Sequence, residues 1–171
     1  MAESDRVLYG QLMPLASGWL LLPKAGLAEV LGMESVALET EGPAWLLGFG
    51  EWRDQRLPVL SLEALWGEPM PTRTRRTRVA VINSLGTHLD AGLFMIVLQG
   101  KPQLTLLKPA ALRPAPARED DSEVILSRTR LANTDAVIPD LEAIERRLAD
   151  AVAGVEDRQL AAADWEPGGV S

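Results

Sequence analysis

Proline and glycine set the length scale of this chain. Twelve prolines and fourteen glycines are spread along its 171 residues, and residues of these two types end or bend regular elements. What lies between them is short. Runs of four to eight residues rich in leucine, valine and isoleucine recur along the chain, the pattern of many short β-strands. Ten are expected: Val7–Met13, Gly18–Leu22, Ser35–Leu38, Trp45–Phe49, Arg56–Leu60, Thr77–Ile82, Leu93–Leu98, Gln103–Leu107, Val124–Leu131 and Ala136–Ile138. Ten short strands with few helices predict a β-sandwich or small-barrel architecture.

Three stretches are expected to be helical. Lys24–Leu31 carries Leu27, Val30 and Leu31 at helical spacing, with Gly32 placed to end it. Leu62–Trp66 follows Ser61 as N-cap, has Glu63 in its first turn and stops at Gly67. Asp140 caps a C-terminal helix over residues 140–153, in which Leu141, Ile144, Leu148 and Val152 form one apolar stripe before Gly154. Two segments have linker composition. Glu68–Thr74 contains Pro69 and Pro71 and leads into Arg73, Arg75, Arg76 and Arg78; Lys108–Ser122 contains Pro109, Pro114 and Pro116, then Glu119, Asp120 and Asp121, with Glu123 beyond. Residues 156–171, which end in Pro167-Gly168-Gly169, are expected to form a flexible tail despite Trp165.

Composition removes whole classes of function. With no cysteine, disulfides, thiolate zinc sites and cysteine nucleophiles are excluded. The single histidine, His88, allows no multi-histidine metal cage and is expected in an exposed turn. A net charge of −7 opposes attraction to nucleic acid or anionic lipid. The longest apolar run, Ala91–Leu98, is far shorter than the roughly 18 residues of a membrane span. The acidic, polar start over residues 1–5 is not expected to act as a secretory leader. A cytoplasmic protein without membrane insertion is the expectation.

Catalytic signatures are missing too. The chain has no G-x-x-x-x-G-K-[ST] loop, no G-x-G-x-x-G after a strand and no G-x-S-x-G elbow. The acidic run Glu119–Glu123 lacks the alternation of a calcium loop and is expected to be solvated. Only Trp66 lies near the arginine group 73–78, so an acidic protein surface suits that group better than stacked bases. Acid/base chemistry would have to draw on Glu29, Glu51, Asp54 or His88, which form no recognisable constellation. The expectation is that the chain is not an enzyme and needs no cofactor.

The most informative stretch is residues 42–67, GPAWLLGFGEWRDQRLPVLSLEALWG. Gly48 inside a strand signals a bulge or a close backbone approach, and Pro58 an edge or bulged position. Glu51–Arg56 has the polarity of a hairpin tip with Arg53 and Asp54 at its crown. Leu62 and Leu65 are expected to face inward. Trp45 and Trp66, among apolar neighbours, belong in the core; Trp52, beside charged residues, belongs at the surface.

This order resembles the CheW-like family, the adaptors of bacterial chemosensory arrays. The family's proline, glycine-bearing strand, Arg-Gly hairpin, Pro-Val, leucine and closing glycine are matched by Pro43, Gly48, Arg53, Pro58-Val59, Leu62 and Gly67. Upstream, Glu29-Val30 is similar to the family's V-x-E-V segment; downstream, Thr77–Asn83, Leu93–Leu98 and Val137–Leu141 fit its order. The resemblance covers residues 6–150. Asp54 replaces the family's glycine after the arginine, and 84–92 departs from its pattern. The chain therefore looks like a divergent member, most similar to the ChpC-type branch that accompanies type IV pilus chemosensory systems and twitching motility.

The resemblance implies an all-β fold of two intertwined five-stranded SH3-like barrels sharing one apolar seam. Residues 18–70 would form the first barrel, and 6–16 with 76–139 the second, within a single domain of residues 6–155. It implies a non-catalytic adaptor that binds the CheW-like regulatory domain of a histidine kinase and the cytoplasmic tip of a methyl-accepting chemoreceptor. Other CheW-like proteins are further partners, and a self-assembling module without kinase coupling is the alternative. Glu29, Trp52, Arg53, Asp54 and Gln55 are the expected contact residues. Arg53 has readings that the sequence leaves open: a contact with a carboxylate of a partner, or a bland role in which it is merely solvated or holds the hairpin by pairing with Glu51.

Overall fold

The computed structural model describes residues 8–39, 41–84, 86–119 and 121–164. Val7, residues 1–5, Asp120, Trp165 and Pro167–Gly169, which carry expectations above, lie outside them. The described elements are, in order, β1 (Leu8–Leu15), β2 (Gly18–Pro23), β3 (Leu27–Gly32), β4 (Val36–Leu38), β5 (Leu46–Trp52), β6 (Gln55–Leu60), α1 (Leu62–Leu65), β7 (Arg78–Asn83), β8 (Leu93–Leu98), β9 (Gln103–Leu107), β10 (Leu112–Ala115), β11 (Ile125–Leu131), β12 (Thr134–Pro139) and α2 (Leu141–Asp164).

These strands form two six-stranded sheets. One has the order β10-β11-β12-β2-β1-β9, the other β3-β7-β8-β6-β5-β4. In each sheet the two edge strands are consecutive in the chain, β9 with β10 and β3 with β4. One bent segment thus supplies both edges, which curls the sheet upon itself. With each bent segment taken as a single strand, the sheets become the two five-stranded SH3-like units expected from the sequence. They are intertwined, because the first sheet takes both ends of the strand-bearing region and the second takes its middle.

The distribution of segments differs from the expected split. Gly18–Pro23 belongs with β1, because Leu15 pairs with Gly18 across a two-residue turn and a hairpin that tight keeps both strands in one sheet. Residues 78–98 return to the sheet that holds residues 27–60: β7 pairs with β3 and β8 pairs with β6. The proline-rich segment 68–76 is partly or fully exposed, and such composition reports exposure rather than a change of sheet.

Three further expectations are corrected. Lys24–Leu31 is not a helix; a single 3-10 turn at Lys24–Gly26 leads into β3. Three apolar residues in eight fit a strand as well as a helix, and pairing with β7 satisfies the backbone. Lys108–Ser122 is not all linker, since β10 lies within it. Its Pro114 is tolerated because β10 is an edge strand. The C-terminal helix does not stop at Gly154, because Val155, only 1% exposed, continues the buried stripe of Leu141, Ile144 and Leu148. It runs on through residues 156–164, part of the expected tail.

Alternation sorts the core into three parts. In β7 and β8, Val79, Val81, Met95 and Val97 point into the second sheet's own core with Met33, Leu57 and Val59. Ala80, Ile82, Phe94, Ile96 and Leu98 point the other way. There they meet Met13, Leu15, Leu20 and Leu22 of the first sheet, Leu62 and Leu65 of α1, and Leu141, Ile144 and Leu148 of α2. This shared seam completes both sheets. A smaller core of Leu12, Leu21, Leu131 and Ala136 fills the first sheet. Both helix caps form as expected: Ala64 N–H donates to Ser61 Oγ at 3.3 Å, and Ala143 N–H to Asp140 Oδ1 at 3.1 Å.

Candidate partner-binding site

The β5–β6 hairpin turns on Arg53 and Asp54, with Trp52 opposite Gln55. Both turn residues are left-handed, with φ 49° and 62°, as a two-residue turn of the primed kind requires. Aspartate reaches this conformation more readily than most residues, so the hairpin keeps its shape without the family's glycine. Arginine has no such help, and its left-handed backbone costs about 1–2 kcal/mol.

The register removes the pairing of Arg53 with Glu51. Glu51 lies opposite Arg56, not Arg53, and the Arg53 guanidinium sits 4.5 Å over the Trp52 ring. Trp52 is half-buried. Its ring packs against the second sheet's core, and its indole N–H donates to the Glu29 carboxylate on edge strand β3. Glu29, 23 residues away in sequence, is thereby joined to Trp52 and Arg53 in one cluster of carboxylate, indole and guanidinium. Asp54 and Gln55 are exposed beside it. The expected surface position of Trp52 holds for its polar edge alone. Trp45 and Trp66 pack against the shared seam as expected.

Pro58 sits in a strand that is not at an edge. It is accommodated because the β6–β8 ladder engages only Val59 and Leu60, so its missing N–H is not needed there. Gly48 marks both features expected of it. The β5–β6 register shifts between Leu46 and Gly48, and the carbonyl oxygen of Ala37 lies where a Cβ would be, 1.9 Å away.

The position of Glu63 is not legible in the sequence. It is fully buried, and its Oε2 accepts from Ala16 N–H at 3.0 Å, tying α1 to the β1–β2 turn. Among the described residues its Oε1 has no hydrogen-bond partner, and burial pushes its pKa up. An acid whose folded pKa is raised costs nothing at low pH. Its penalty enters as pH climbs through the unfolded value and persists above the folded one. Glu63→Gln keeps the acceptor and removes the charge. In denaturant titrations it is expected to be more stable than the parent at pH 7, with the gain vanishing near pH 4. An equal difference at both pH values would show that the charge is not the cause.

The acidic run is not wholly solvated. Asp121 accepts a forked pair of bonds from Arg128, and this holds its pKa down at about 2. The two line a groove of about 770 Å³ between the end of α1 and the β2–β12–β11–β10 side of the first sheet. Arg130 lies 3.8 Å from Asp135, the Ser17 hydroxyl donates to Glu68 at 2.7 Å, and Arg113 and Arg118 also line the groove. It contains no histidine. His88 is exposed, 3.7 Å from Glu142, and Ser84 turns to the Gly86 carbonyl rather than to His88. Among the described residues no group of side chains could hold a metal ion, and no helix is long and apolar enough to cross a membrane.

The model of the CheW-like domain matches residues 10–148. The chain belongs to the CheW-like family. Membership makes it a chemotaxis signalling adaptor or scaffold, in a family whose members are non-catalytic. The crystal structure of the scaffolding protein TtCheW from Thermoanaerobacter tengcongensis superposes with a TM-score of 0.67 at 15% identity, over 80% of this chain and 86% of that one. At this identity the match speaks for the fold: the CheW fold of two SH3-like units is the one described above. Comparison with curated protein sequences returns no match.

Proposed function

We propose that this CheW-like chain is a cytoplasmic, non-catalytic adaptor that couples a chemoreceptor tip to a histidine kinase through the kinase's own CheW-like regulatory domain. The observation that carries this reading is the Glu29–Trp52–Arg53 cluster at the crown of the hairpin. Arginine in a left-handed turn position is strained, and strain of this kind collects where function demands it. The indole holds the guanidinium at the surface, where its donors suit a carboxylate on a partner. Asp54 and Gln55 extend the same exposed edge.

Arg53→Ala is expected to leave the stability within about 0.5 kcal/mol of the parent, because the side chain is exposed and the turn strain is unchanged. It is expected to weaken binding of the kinase regulatory domain more than tenfold, about 1.4 kcal/mol. Calorimetric titration against that domain reads the loss. Unaltered affinity would remove Arg53 from the contact.

A further inference from the structure

We propose that a second copy of this chain docks the exposed end of its α2 onto the β1–β9 face. The chain has three lysines, Lys24, Lys101 and Lys108, and all three surround one apolar strip. Tyr9 lies opposite Leu106, and Leu104 opposite Gln11, so these side chains share a face of the β1–β9 ladder. Further along β1, the same face enters the seam at Met13 and Leu15; here it opens to solvent, with Leu104 54% and Tyr9 47% exposed. Lys24 stands 5.8 Å from the Tyr9 ring centroid, and Lys101 and Lys108 bracket β9. Neither strand carries an acidic residue. The fitting partner is an apolar ridge with carboxylates beside it.

The chain itself displays such a ridge. The buried stripe of α2 ends at Val155, and residues 156–163 are exposed on every side. Two turns of helix without packing are marginal in water. Leu160 is 65% exposed and sits at i+4 from Glu156 and i+3 from Asp157, while Arg158 falls on the opposite side. Gln159 Nε2 donates to Glu39 Oε2 at 3.2 Å, which steadies the helix without covering Leu160. Apolar meets apolar and lysine meets carboxylate. Because the two surfaces differ, the contact is heterologous, joining copies head to tail. It is independent of the Arg53 surface.

Sedimentation of the full chain up to about 1 mM tests this, alongside two variants whose changes are all at exposed positions. One replaces the lysines (Lys24→Glu, Lys101→Glu, Lys108→Glu); the other alters the helix (Asp157→Lys, Leu160→Asp). The parent should associate more with concentration and less with added salt. Each variant should remain monomeric with an unchanged melting curve. An equimolar mixture should form a capped one-to-one dimer, since each variant retains one sound surface. A monomeric parent, association that persists in either variant alone, or a mixture that stays monomeric would overturn the proposal.

Discussion

Gly48→Ala is expected to destabilise the protein by about 3 kcal/mol or more, among the largest effects available to one added methyl group. The new Cβ would lie 1.9 Å from the Ala37 carbonyl oxygen and 2.9 Å from Glu39 N. Both are backbone atoms, so no side-chain rotation relieves the overlap. The remaining escape is to lift β4 from β5, which breaks the bond from Glu39 N–H to the Leu47 carbonyl at 2.7 Å and opens the curled sheet at its edge. Gly67 supplies the control. Its φ is 97° but nothing lies within 4 Å of its missing Cβ, so Gly67→Ala should cost only the conformational term, about 1–2 kcal/mol. Urea titrations of the two variants separate steric from conformational cost. Equal losses would show that β4 yields freely.

Leu62→Ala is expected to cost about 2–5 kcal/mol. Leu62 is 0% exposed in the seam where α1 meets both sheets. Truncation there loses burial and leaves a void bounded by strands that cannot collapse inward independently. Leu38, 74% exposed on β4, gives the contrast: Leu38→Ala should fall within about 0.5 kcal/mol of the parent. A Leu62→Ala unfolding midpoint equal to the parent's would contradict the inward face of α1.

The contrast between these positions also shows what the sequence could disclose. Leu93–Leu98 and Thr77–Ile82 were legible because both faces of β7 and β8 are buried, one in the second sheet's core and one in the seam, so apolar residues run unbroken. The hairpin crown at Arg53-Asp54 was legible from its polarity between apolar strands. β3 was not, because its residues are only partly covered and its identity as a strand comes from pairing with β7, some 50 residues later. A separation of 23 residues likewise hid the joining of Glu29 to Trp52, an encounter created when the sheet curls. Glu63 was misleading for a different reason. A glutamate in a first helical turn ordinarily lies in solvent beside the helix dipole, and nothing local reports that the β1–β2 turn closes over this one. The length of α2 was concealed by Gly154, since a glycine ends a helix only where the buried stripe also ends.

The account holds that two curled, fused sheets present separate surfaces and act by joining other proteins. Mixing the chain with a kinase regulatory domain and a receptor-tip fragment, then weighing the products by light scattering after gel filtration, tests this most directly. The expected product is a ternary complex containing all three, lost at the kinase step with Arg53→Ala and retained at the receptor step. Displacement of one partner by the other, or no complex with either, would contradict it.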